Sequence, residues 1–195
     1  MHRLSAAVAV VVTGIALAAS SGGTAAAQPI ALAPLPSYDA WIADVTPVAA
    51  QAKEFVEQRA PQVTKPAVVF DIDNTTLETQ YHFHVTRIPA LQPSLAVAKA
   101  AKTNGAAVFF VTGRPEVLRE VSRSNLLAVG YPVDGLYLTD LQDIANLQKY
   151  KTAERTAIEA LGYTIVANIG NSATDLAGGH AEQTFKLPDY NGALN

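Results

Sequence analysis

The chain contains no cysteine. That removes disulfides, thiolate metal sites, a cysteine nucleophile and a lipid-modified cysteine anchor from consideration. An excess of basic charge is missing too. Lys and Arg number 14 against 17 Asp and Glu, a formal net charge of -3. A nucleic-acid partner would require a basic face that this composition does not supply. No GxxxxGK[ST] phosphate loop occurs. A long membrane span is lacking as well. Leu4 to Ala19 is apolar, but the run is short against the roughly 20 residues that a span needs, and no basic stop-transfer cluster follows. With Met1, His2 and Arg3 before it and Ala25-Ala26-Ala27 after it, the run has the layout of a secretory leader cleaved after Ala27. The expected organisation is a signal peptide over 1–27 and a single domain over 28–195. Without disulfides, that domain depends on its apolar core.

What is present alternates. Tyr38 to Arg59 has Trp41, Val45, Val48, Ala52 and Val56 at helical spacing, with Pro47 inside as a kink or a start. Ala67 to Phe70 is a short buried strand. Helix is expected over Leu95 to Lys102, stopped by Asn104-Gly105, followed by strand over Ala106 to Val111. Thr112-Gly113-Arg114-Pro115 reads as a turn, with Pro115 opening a helix that runs from Glu116 to Val129. Further strands are expected at Gly135 to Thr139 and Thr164 to Ile169, a helix over Tyr150 to Leu161, and a short last strand at Thr184 to Leu187. Strand and helix in alternation predict an α/β domain built on a parallel sheet.

In such a sheet, ligands bind beyond the carboxyl ends of the strands. The first strand is followed by Asp71, Asp73 and Thr75. The second is followed by Thr112, Gly113 and Arg114, and the fourth by Asn171, Ser172 and Asp175. The period of two puts Asp71 and Asp73 on one side. Adjacent carboxylates are stabilised by a cation or share a proton. A calcium loop starting at Asp71 fails, because Thr76 stands where glycine is needed and His82 where glutamate is needed. Asp71 fits a nucleophile and Asp73 a general acid, if their surroundings push their pKa values apart.

"VVFDIDNTTLE" resembles the first motif of the haloacid dehalogenase superfamily of phosphohydrolases. "FFVTGR" is similar to its second, Lys151 in "YKTAERTAIEALGY" to its third, and "IGNSATDLAGG" to its fourth. "SYDAWIADV" and "TFKLPD" resemble secreted acid phosphatases of the class B and plant vegetative-storage type. The resemblance implies a Rossmann-like parallel sheet flanked by helices, with a small flap and no large cap domain.

It also implies roles. Asp71 would form an aspartyl-phosphate, and Asp73 would protonate the leaving oxygen and then activate water. Thr112, Gly113, Arg114 and Lys151 would bind the substrate. Asp71, Asp73 (through its backbone carbonyl), Asn171 and Asp175 would hold Mg2+. The family's fourth motif usually begins Gly-Asp, whereas here it reads Gly170-Asn171. An amide oxygen still ligates magnesium but brings no charge. Thr112 has a second reading as a helix N-cap, and Lys151 and Arg114 as surface residues. Tyr81, His82, Phe83 and His84 fall where family members carry a flap. Without other ligands, His82 and His84 read as ordinary residues rather than a metal pair.

The activity expected is that of a secreted, magnesium-dependent acid phosphatase acting on small phosphomonoesters, with no nucleic-acid scaffold and no membrane partner once the leader is removed. The alternative is a non-catalytic phosphate-binding or storage-like protein on the same fold.

Overall fold

A computed structural model describes residues 35–82, 87–140 and 142–194. The leader expected over 1–27, together with Phe83 and His84, lies outside the described residues. Five strands form one parallel sheet: β1 (Pro66–Phe70), β2 (Ala107–Pro115), β3 (Gly135–Thr139), β4 (Thr164–Gly170) and β5 (Gln183–Lys186), in the order β3-β2-β1-β4-β5. The chain moves outward from β1 through β2 to β3 and then returns to β4 on the other side. The order therefore reverses between β1 and β4, which is where an α/β sheet opens a crevice.

Side chains of β1 alternate between two cores, as the period of two demands. Val68 and Phe70 face α1 (Tyr38–Arg59), α3 (Gln92–Thr103) and α4 (Arg119–Ala128). Ala67 and Val69 face α5 (Leu147–Ala160), where Phe109, Tyr150 and Ile158 also pack. Burial on both faces explains why β1 reads as an unbroken apolar run. Two short helices complete the fold, α2 (Thr79–His82) after β1 and α6 (Ala173–Leu176) after β4. No large cap domain is present among the described residues, and no described helix is long and apolar enough to cross a membrane.

Several boundaries differ from expectation. Pro47 neither starts nor ends α1. It sits on the exposed side, so the Ala43 carbonyl that loses its donor faces water. The turn expected at 112–115 is instead the end of β2, because β3 runs alongside it with a register shift between Thr112 and Pro115. Pro115 is accordingly extended (φ -67°, ψ 150°) and is not the first residue of a helix; a 3-10 turn over Glu116–Leu118 leads into α4. Helix α5 begins earlier than its apolar spacing suggests, because the Asn146 side chain accepts a hydrogen bond from Lys149 N at 3.1 Å and caps it.

Candidate active site

The chain leaves β1 through Asp71, whose N–H still bonds the Ile169 carbonyl of β4 at 3.0 Å. The Ile72 carbonyl then collects the N–H groups of Thr75, Thr76 and Leu77, and Asn74 takes a left-handed conformation (φ 54°) that asparagine tolerates. This tight loop brings Asp71 and Asp73 to one cleft of about 160 Å³. Thr112, Gly113, Lys151, Asn171 and Asp175 also line it. Three strand ends and the helices α5 and α6 thus deliver these residues to one place, and Arg114 reaches it through Asp73.

Lys151 is the centre of the arrangement. Its Nζ donates to Asp71 Oδ1 at 2.7 Å and to Asp175 Oδ1 at 2.5 Å, and all three side chains are buried. The surface reading of Lys151 is thereby excluded. Burial would lower the lysine's pKa, but the two carboxylates outweigh it and hold the ammonium charged. Burial and the repulsion of Asp175 push Asp71 up to about 7, against the pull of Lys151.

Asp73 is held differently. Arg114 donates to it through two nitrogens, at 2.9 and 2.7 Å, and Thr79 Oγ1 donates at 2.6 Å. Burial raises its pKa, but the Arg114 fork and the Thr79 hydroxyl outweigh burial and keep it below the usual carboxylate range, so without a cation or substrate the pair is split in the opposite sense to that expected for an ionised nucleophile and a protonated acid. Arg114 is neither a surface residue nor free to meet a ligand unaided, because its guanidinium is already paired. Thr112 caps no helix. Its Oγ1 accepts from Arg114 N at 3.2 Å, which leaves the hydroxyl hydrogen available for an anion in the cleft.

The loop after β4 is shaped by glycine. A Cβ on Gly170 would meet the Asp175 Cβ at 2.4 Å, so only glycine lets Asp175 fold back over the strand end. Asp175 uses its second oxygen to cap Ser172 N at 2.8 Å, which commits both of its oxygens within the protein. Asn171 Oδ1 accepts from Thr75 Oγ1 at 2.9 Å. His82 pairs with Glu78 at 3.1 Å, and no cluster of three or more His, Asp or Glu arranged for a metal occurs among the described residues.

One residue had escaped the sequence reading. Arg155 is fully buried and donates to the carbonyls of Asp175 (2.7 Å), Gly179 (2.9 Å) and Ala177. It fixes the loop that carries Asp175, and Asn168 Nδ2 assists by donating to the same Asp175 carbonyl at 2.9 Å. The signal was present: Lys151, Arg155 and Ile158 stand at i, i+4 and i+7, on one buried face of α5.

A central strand ending in paired aspartates, a buried lysine from a later helix and a polar loop after β4 make up the haloacid dehalogenase-like arrangement that the motifs had suggested. The chain belongs to the HAD superfamily, subfamily IIIB (acid phosphatase), whose family model matches residues 25–193. It is 38% identical over 106 residues to a stem 28 kDa glycoprotein of Glycine max, covering 52% of this chain and 42% of that one. It is 35% identical over 104 residues to acid phosphatase 1 of Solanum lycopersicum, covering 52% and 41%. The chain thus spans less than half the length of these two relatives. Its fold matches the class C acid phosphatase of Bacillus anthracis with a TM-score of 0.60 at 17% identity, over 77% of this chain and 81% of that one.

Proposed function

We propose that the protein is a phosphomonoesterase of the acid phosphatase type that works through an aspartyl-phosphate. The observation that carries this reading is the buried Asp71–Lys151–Asp175 bridge beneath the cleft, with Thr112 beside it. Lys151 occupies Oδ1 of Asp71 and leaves Oδ2 without a protein partner among the described residues. That oxygen attacks phosphorus, and the bond from phosphorus to the ester oxygen breaks. Asp73 gives the departing oxygen its proton and afterwards takes one from the water that attacks the aspartyl-phosphate. Inorganic phosphate leaves and Asp71 is restored. Thr112 and Lys151 hold the phosphoryl oxygens as charge builds on them. Arg114 keeps Asp73 ionised, the form required in the second half. In the first half, the substrate's phosphoryl oxygens compete for the guanidinium and free Asp73 to carry a proton.

The donor set suits magnesium. Asp71, Asp73 and Asp175 bring three carboxylates to this end of the sheet, with Lys151 and Arg114 paired to them. The Asp71 carboxylate, the Asp73 carbonyl and Asn171 Oδ1 are hard oxygen donors of the kind that Mg2+ takes together with water and phosphate. Asp175, both of whose oxygens are committed, would act through water or through Lys151. Bound there, the ion would neutralise charge on the transferring group.

Asp71 and Asp73 are both present and both face the cleft, so the storage-like alternative is not favoured. Release of phosphate from p-nitrophenyl phosphate by purified protein, with magnesium and with chelator, tests the reading; no turnover under either condition would refute it. We further read 1–27 as an export leader. An exported form beginning at Gln28 is expected on N-terminal sequencing, and a mature protein that keeps Met1 would rule the leader out.

A further inference from the structure

Asn171, the position where this chain departs from the Gly-Asp pattern, is tied to a segment that no motif includes. Its Nδ2 donates to the Leu194 carbonyl at 2.9 Å. Asn74 Nδ2, from the loop between Asp73 and Thr75, donates to the same carbonyl at 2.8 Å. Both asparagines and Leu194 are buried, and Leu194 lines the cleft. Two buried carboxamides, from the loops after β1 and β4, thus share one backbone acceptor.

The segment that supplies this carbonyl is bent sharply. Tyr190, Asn191 and Gly192 are left-handed in succession, at φ 51°, 57° and 87°. Gly192 N and Leu194 N both bond the Asp189 carbonyl at 3.1 Å, which closes the turn. The Tyr190 hydroxyl anchors it to Asp44 at 2.7 Å, and the Leu194 side chain is inserted in the main core. Non-glycine residues adopt such angles at a cost that the surrounding contacts must offset. What the bend achieves is to turn the Leu194 carbonyl inward.

We propose that 189–194 is a strap that positions the metal ligand. By engaging the nitrogen of Asn171, Leu194 fixes which way the carboxamide faces and presents its oxygen on the other side, toward Thr75. An aspartate at 171 would set a carboxylate oxygen against the Leu194 carbonyl with no hydrogen between them. Asparagine is therefore coupled to the strap. Charge alone would make Asn171→Asp a better magnesium ligand; the strap makes it a disruptive change. This inference rests on the magnesium reading above, and the role assigned to Leu194 and Asn74 is positioning only.

The test is calorimetric titration of the full-length protein with Mg2+, alongside hydrogen exchange of 189–194. Asn74→Gly, which keeps the left-handed backbone, and Leu194→Ala are each expected to weaken magnesium binding about tenfold, as loss of a partner that orients a ligand typically does. Turnover should recover at saturating magnesium, and Leu194→Met, which keeps the buried volume, should retain wild-type affinity. In Asn171→Asp, exchange across 189–194 should quicken about five- to tenfold, for one lost hydrogen bond and a new repulsion. Unchanged magnesium affinity in both Asn74→Gly and Leu194→Ala overturns the proposal, as does unchanged exchange in Asn171→Asp. A wild-type protein that binds no magnesium would instead refute the functional reading and take the strap's role with it.

Discussion

Lys151 and Arg114 each hold one member of the aspartate pair, yet in unlike surroundings. The side chains of Lys151, Asp71 and Asp175 are 5%, 8% and 3% exposed; those of Arg114 and Asp73 are 13% and 37%. A buried charge stripped of its partner has nowhere to go, so the Lys151 bridge is fixed. A pair at the rim can exchange its partner for water or for substrate, so the Arg114 fork is able to open. The contrast matches the two tasks proposed for the aspartates. A nucleophile must stay in line with phosphorus, whereas a group that carries a proton in one half-reaction and removes one in the other must change its company.

The sharpest way to break the comparison is Asp71→Asn. It removes the attacking oxygen with little change in shape and is expected to lower turnover of p-nitrophenyl phosphate by about 10³ or more. A variant that keeps a tenth of the rate, with deamidation excluded by mass spectrometry, would remove Asp71 from the reaction. Asp73→Asn should separate substrates rather than stop them all. Alkyl phosphates, whose leaving oxygen needs a proton, should slow by about 10²–10⁴, and p-nitrophenyl phosphate by less in its first step. Equal losses in single-turnover phosphorylation of the two would deny Asp73 the acid role.

Stability should divide the two clusters in the same direction. Lys151→Met leaves two buried carboxylates without their shared cation and is expected to cost about 3–5 kcal/mol by denaturant unfolding. Arg114→Met removes a partly solvated partner and should cost about 1 kcal/mol or less. If the second loss equals the first, the rim pair is as rigid as the buried one and the division of tasks fails.

Much of this was legible in the sequence, for physical reasons. β1, β2 and β4 are buried on both faces and so are written as plain apolar runs, and the polar residues that follow each run mark the sheet's carboxyl end. Asp71, Asp73, Thr112 and Asn171 could be placed from that alone, whereas Lys151, inside α5, was singled out only by its resemblance to the family's third motif. The partnership of Arg114 with Asp73 could not, because it depends on β2 staying extended to Pro115, which a neighbouring strand decides. Leu194 was silent for a similar reason. Its contribution is a backbone carbonyl, which every residue has, and only the fold brings it to Asn74 across 120 positions.

The position of β1 has a consequence for the chain as it is made. β1 needs partners from both directions, Ala107 of β2 and Ile169 of β4 among them. Thr75 and Asn171, which meet in the finished site, are 96 residues apart. At a synthesis rate of about 5–20 residues per second, that interval is on the order of 5–20 s. Until β4 is made, one edge of β1 has no partner, and its free backbone N–H and C=O groups are the kind of surface that pairs with another chain. The strand that leads into Asp71 is therefore the one most in need of shielding on a nascent polypeptide, and the first appearance of turnover during refolding would report that β4 has arrived beside it.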